Sequence, residues 1–194
     1  MSQVLIVSRV LGTAIGLTVL VAIACSDGED GTLIEQDEAA MTIRLTSSAF
    51  TEGSDIPVTF TCDAEDVSPP LKWSGTPDET KSIALIVDDP DAPGGTWVHW
   101  VLYRVPPDAG ELPGKAPSTE VTLLGARNGK NDFDRLGYGG PCPPRGDPHR
   151  YFFKLSALDI ELDLESGATR KELLNTMDGH ILAIGQIMGR YQRE

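Results

Sequence analysis

Three short segments collect the side chains able to do chemistry. They are Asp88-Asp89-Pro90-Asp91-Ala92-Pro93, Trp97-Val98-His99-Trp100-Val101, and the run from Gly137-Tyr138-Gly139-Gly140-Pro141-Cys142-Pro143-Pro144 on to Pro148-His149-Arg150-Tyr151. Carboxylates, imidazoles and a phenol can exchange protons or hold a small anion or an ammonium group. Strand alternation puts Trp97, His99, Val101 and Tyr103 on one face. His149 and Tyr151, two apart, also share a face, their polar tips roughly 6.5 Å apart along one strand. An imidazole on such a face is either a satisfied core residue or a pocket group. The Gly- and Pro-rich loop likewise has two readings. It is simple turn chemistry, or it is a wall whose glycines admit a ligand to the backbone and whose prolines leave only selected N–H groups to meet an anion.

Several chemistries are excluded by what these segments lack. The loop has no Gly-Lys-Ser/Thr ending and no clear following helix, so it is no phosphate-cradling P-loop. There is no Gly-x-Ser-x-Gly elbow, no His-Glu-x-x-His helix and no Cys-x-x-Cys pair. His99, His149 and the aspartates are not at metal-ligand spacing, and Cys142 near His149 has no evident thiolate stabiliser. Neither a metal nor a cofactor is expected, and a binding protein is expected in preference to an enzyme. A hydrolase using Asp89 and His149 as acid and base is the enzymatic alternative. The net charge of -13 and pI near 4.5 exclude the cationic footprint that nucleic acid requires.

The elements that must position these residues are short and apolar. Met41 to Thr46 alternates as a half-buried strand does, and runs at Ile56 to Thr61, Ser82 to Val87, Trp97 to Val105, Thr119 to Leu124 and Tyr151 to Leu158 are separated by Pro, Gly and Asp clusters. Many short strands with turn punctuation predict a mostly β domain, as a sandwich or a pair of packed sheets. Thr169-Arg170-Lys171-Glu172 fits a helix capping box, followed by an apolar stripe at Leu173, Leu174 and Met177 and a stop at Gly179. Ile181 to Met188 reads as a last strand, although its periodicity also admits a helix.

Ahead of the domain, Val10 to Ala24 is an apolar run after Arg9 that stops at Cys25-Ser26-Asp27-Gly28, the shape of a signal sequence. Ala22-Ile23-Ala24-Cys25 resembles a bacterial lipoprotein cleavage site, with Cys25 as the lipidated residue. Ser26 after it favours the outer membrane where one exists. An ordinary cleaved signal or an uncleaved anchor are the alternatives. Residues 1–24 are thus expected to be a signal peptide of lipoprotein type. Residues 25–40 read as a flexible acidic tether, since they hold only Leu33 and Ile34 as sizeable apolar side chains; residues 41–194 are the folded domain. The expected location is the cell envelope, lipid-anchored, or else periplasmic or secreted. Setting Cys25 aside leaves Cys62 and Cys142, a disulfide or two free thiols.

Taken in order, the three segments resemble the phosphatidylethanolamine-binding protein family, whose members carry an Asp-Pro-Asp-x-Pro stretch, a His on the next strand, and a Gly- and Pro-rich loop leading to His-Arg-Tyr. Ser68-Pro69-Pro70-Leu71-x-Trp73, Asn131-Asp132-Phe133 and Gly137 to Pro144 are similar to its bacterial Raf-kinase-inhibitor-like (YbhB/YbcL-type) branch. The resemblance spans Met41 to Gln192. It implies a large central antiparallel sheet packed on a smaller sheet with few peripheral helices. It also implies a pocket for a small anionic or phosphate-bearing ligand built from Asp89, His99, Gly140, Pro143, His149 and Tyr151, with Asp91 and Arg150 as supports. The C-terminal helix of eukaryotic members has no counterpart before Glu194, which argues against kinase inhibition. Inhibition of a partner enzyme such as a protease is the alternative function, with the partner unspecified.

Overall fold

The computed structural model describes residues 43–122 and 124–194. The expected signal peptide (1–24), the tether (25–40), Cys25 and Met41 lie outside the described residues. Ten elements follow in order: β1 (Arg44–Ser47), a 3-10 turn (Val58–Phe60), β2 (Leu71–Ser74), β3 (Ser82–Asp89), β4 (Trp97–Val105), β5 (Glu111–Leu112), β6 (Arg127–Asn128), β7 (His149–Leu158), α1 (Arg170–Met177) and β8 (Ile181–Tyr191). They form a three-stranded sheet, β1-β2-β5, and a five-stranded sheet, β6-β4-β3-β7-β8, antiparallel throughout. A large antiparallel sheet on a smaller one, with one α-helix among the described residues, is the expected architecture.

Two apolar layers lie on either side of the large sheet. One packs Ile43 and, from the small sheet, Leu45, Leu71 and Trp73 against Leu85, Trp100, Phe153 and Ile187. The other packs Ala84, Ile86, Val101 and Tyr103 against Leu173 and Met177 of α1. β3 is the central strand and is buried along its whole length, which explains its continuous apolar sequence. Helix α1 starts at the expected capping box: the Glu172 N–H donates to Thr169 Oγ1 (3.3 Å), and the Thr169 N–H donates to Glu172 Oε2 (2.8 Å). Ile181 to Met188 is strand, within the longer β8.

Two expected strands are not strands. Within Ile56 to Thr61, Pro57 has φ -57° and no N–H, and starts a 3-10 turn that the Thr61 hydroxyl closes by donating to the Val58 carbonyl (2.9 Å). Within Thr119 to Leu124, Val121 alone among the described residues makes a bridge, to Arg127. The chain then reverses at once, with the Thr122 N–H donating to the Ala126 carbonyl (2.8 Å) and Gly125 at φ +76°. A reversal that tight leaves no length for a ladder.

Candidate anion-binding site

The site is assembled at one end of the large sheet, where β3 ends, β4 begins and β7 begins. Asp89 is the last residue of β3 and pairs in register with Trp97, the first of β4. Asp89 is 3 % exposed and both carboxylate oxygens are engaged: Oδ1 accepts the Asp91 N–H (2.8 Å), closing the Asp-Pro-Asp turn, and Oδ2 lies 2.8 Å from Nδ1 of His149. Asp91 in turn accepts three hydrogen bonds from Arg150, one from the backbone N–H (2.9 Å) and two from the guanidinium (2.9 and 2.7 Å). The Arg150 hydrogen bonds hold the Asp91 carboxyl down at about 2. Asp91 and Arg150 therefore clamp the β3–β4 turn onto the start of β7.

His99 owes its aim to a β-bulge. Val87 pairs with Trp100 and Asp88 with Val98, so His99 is the extra residue on β4. The expectation that Val101 and Tyr103 share its face is thereby corrected: both pack on the helix side of the sheet, while His99 turns the other way. Its ring meets Tyr151 (centroids 5.1 Å) and Phe133 (5.3 Å) edge to face, and Nδ1 lies 2.7 Å from the Gly139 carbonyl oxygen. Burial pushes the His99 imidazole below the ordinary histidine value, against the raising effect of that carbonyl.

The Gly- and Pro-rich loop supplies the facing wall. Cys142 is joined to Cys62 in a disulfide with Cα atoms 5.4 Å apart, which ties the loop to the turn after Val58–Phe60. The Gly139 N–H donates to the His99 carbonyl (2.9 Å), and the Gly140 N–H to Asp66 Oδ1 (2.6 Å). A Cβ at Gly140 would collide with the Phe60 carbonyl oxygen, so this glycine is required by close packing.

The result is a cleft of about 210 Å³ lined by Asp89, Ala92, Pro93, Trp97, His99, Phe133, Cys142, Pro143, Pro144 and His149. Of the residues singled out in the sequence, Asp89, His99, Pro143 and His149 line it. Gly140 does not, because its N–H is committed to Asp66. Tyr151 shares the His149 face as expected but is fully buried behind His99. Its hydroxyl has no hydrogen-bond partner among the described residues, and burial together with the nearby Asp89 charge pushes the phenol well above its usual range. Sequence reasoning missed Phe133 as a wall residue. Trp97 is its partner, with ring centroids 5.4 Å apart. The available signals were Trp97 two residues before His99 and the Asn131-Asp132-Phe133 motif. The latter is a turn built by Asn131 Oδ1 accepting the Phe133 and Arg135 N–H groups (3.0 and 3.1 Å).

Both imidazoles present their Nδ1 to an acceptor, a carbonyl for His99 and a carboxylate for His149. Nδ1 therefore carries the proton in each neutral ring, and Nε2 is the nitrogen left for a ligand. No hydrogen bond engages either Nε2 among the described residues. A second proton on such a ring turns Nε2 into a charged donor suited to an anion.

The family model described as phosphatidylethanolamine-binding protein matches residues 46–192. A UPF0098 protein of Methanothermobacter thermautotrophicus is 48 % identical over 151 residues, covering 78 % of this chain and 99 % of its own. One from Aquifex aeolicus is 50 % identical over 150 residues, covering 76 % and 87 %. Among solved structures, YbcL of E. coli, described as a new member of the mammalian family, superimposes with a TM-score of 0.74 at 34 % identity, covering 79 % of this chain and 99 % of its own. A phosphatidylethanolamine-binding protein homologue from Chlamydia trachomatis gives 0.71 at 40 % identity, with the same coverage. With the motifs, the two-sheet architecture and a matched span of most of the described domain in agreement, the chain belongs to the phosphatidylethanolamine-binding protein family.

Proposed function

We propose that this protein binds a small phosphate-bearing group, such as a phosphorylated amino alcohol, in the cleft at Asp89, His99 and His149. One observation carries the reading: two imidazoles open on one cleft, each with Nδ1 held by an acceptor, so that Nε2 of each is directed to the ligand. Protonated Nε2 groups donate to phosphate oxygens, and the Asp89 carboxylate attracts an ammonium substituent. Trp97 and Phe133 give that substituent an aromatic wall. The lining contains no hydroxyl, and its one sulfur is tied in the disulfide, which removes serine, threonine and thiol nucleophiles from the cleft. The apolar run ending at Ala22-Ile23-Ala24-Cys25 supports export and attachment to the cell envelope by a lipid on Cys25.

Calorimetric titration of phosphorylethanolamine into the wild-type protein and His149→Ala tests the reading. One-to-one binding by the wild type, weakened tenfold or more in the variant, is expected. The absence of heat from either protein would remove the ligand-binding function.

A further inference from the structure

A second depression, of about 190 Å³, lies on the opposite face of the large sheet, between α1 and strands β3, β7 and β8. Its two ends differ. Towards the C-terminal end of α1 the walls are Leu174, Met177 and Ile181 over Ala84, Ile86 and Ile184, and Leu174 and Ile181 are exposed apolar side chains. Towards the N-terminal end three charged groups meet: Asp88, Lys154 and Arg170.

The charges do not cancel there. Asp88 is 1 % exposed, and both of its oxygens accept from Lys154 Nζ (2.8 and 2.9 Å). Arg170 Nε stands 3.7 Å from Asp88 Oδ2, beyond hydrogen-bond reach. This Nε is buried and has no hydrogen-bond partner among the described residues. The side chain as a whole is 38 % exposed, so the unmet group is the Nε–H itself, and an acceptor placed on it removes the cost of leaving it unbonded. Two cations on one carboxylate leave a surplus positive charge at the mouth of an apolar trough, in a chain whose net charge is -13.

We propose that this groove binds a single-chain carboxylate amphiphile. Its carboxylate accepts from Arg170 Nε and the third Lys154 N–H, and its alkyl chain lies along Ile86, Leu174 and Met177. The site is separate from the cleft. Asp88 and Asp89 are consecutive on β3, so their side chains leave the sheet on opposite faces.

Titration of the full chain with decanoate and with decylammonium, equal in chain length and opposite in head charge, tests the proposal by calorimetry. Saturable decanoate binding with no comparable decylammonium binding is expected. Arg170→Met, which keeps the packing and removes the donor, should weaken decanoate tenfold or more. Leu174→Asp, at an exposed position, should abolish it. Both variants should keep wild-type affinity for phosphorylethanolamine in the cleft, or match the wild type in thermal unfolding if the cleft proves inert. Wild-type protein that does not saturate with decanoate, equal binding of the two head groups, or variants that bind decanoate as the wild type does would each overturn the proposal. So would a dimer in sedimentation that excludes decanoate and that Leu174→Asp dissociates, because the groove would then belong to a second copy of the chain.

Discussion

Asp88 and Asp89 are consecutive, almost equally buried, and partnered by residues of the same strand, β7. Asp88 faces the helix side and is held by Lys154; Asp89 faces the loop side and is held by His149. The pairing partner makes the two regions different devices. The Lys154 ammonium donates to both oxygens of Asp88, so that pair is a fixed piece of the sheet. An imidazole has a second nitrogen, so the Asp89 pair fixes Nδ1 of His149 and leaves Nε2 for a ligand in the cleft. One burial site on one strand thus supplies a structural ion pair on one face and an oriented, ligand-facing imidazole on the other.

The largest effect expected on the loop side comes from its covalent tie, which has no equivalent on the helix side. Joint replacement of Cys62 and Cys142 by Ser removes a cross-link spanning 80 residues and should cost about 4 kcal/mol on the chain-entropy account. Chemical denaturation of the variant checks the cost, and the accompanying loss of phosphorylethanolamine affinity measures how far the tie shapes the cleft. Next is Lys154→Met, which strands the Asp88 carboxylate with Arg170 at 3.7 Å and should cost roughly 3 kcal/mol in urea unfolding while leaving the cleft's ligand affinity unchanged. Equal losses of stability and affinity would erase the contrast between the two faces.

Asp89→Asn sharpens the same contrast from the other side. The variant should lose about tenfold in affinity for phosphorylethanolamine, or ~1.4 kcal/mol, because the ammonium partner is gone. Affinity for inorganic phosphate should hold or rise, because a carboxylate that repels the anion has been neutralised. Isothermal titration with each ligand separates these outcomes. Smallest of all, Arg150→Met should leave the urea-unfolding midpoint almost unchanged, since Arg150 is half exposed and its backbone N–H still binds Asp91.

The buried His99 adds a pH dependence to stability itself. Its folded-state value lies below the ordinary 6.5, so the folded protein takes up this proton less readily than the unfolded chain. The stability contributed by the neutral ring is complete above pH 6.5 and is lost as pH falls from there through the folded-state value. Thermal melts between about pH 7 and about pH 5 should show this loss, and His99→Phe should flatten it.

Much of the site was legible in the sequence because its groups sit at strand ends, where short motifs carry them. Asp89 and His149 follow from their places in Asp-Pro-Asp-x-Pro and His-Arg-Tyr. What strand alternation alone could not show was the bulge at His99, because an inserted residue changes the face of everything after it without changing composition. The depth of Tyr151 was hidden for a related reason: strand position fixes a side chain's face but not how much lies above it. β2, β5 and β6, with four, two and two residues, are too short to carry a period. Their identity as strands comes from the pairing partners: β1 for β2, β2 for β5 and β4 for β6. The groove at Asp88 had no motif at all, since it joins residues of β3, β7, α1 and β8 that meet only in the folded sheet.

The most direct test of proton-dependent anion binding in the cleft uses sulfate, whose own charge is constant over the relevant range. Its affinity should be measured by calorimetry at about pH 5 and about pH 8 in buffers of different ionisation heat. Sulfate should bind at least tenfold more tightly at the lower pH, with a proton taken up on binding at intermediate pH, and His149→Ala should reduce both effects. An affinity unchanged across this range, with no buffer-dependent heat, would contradict the account.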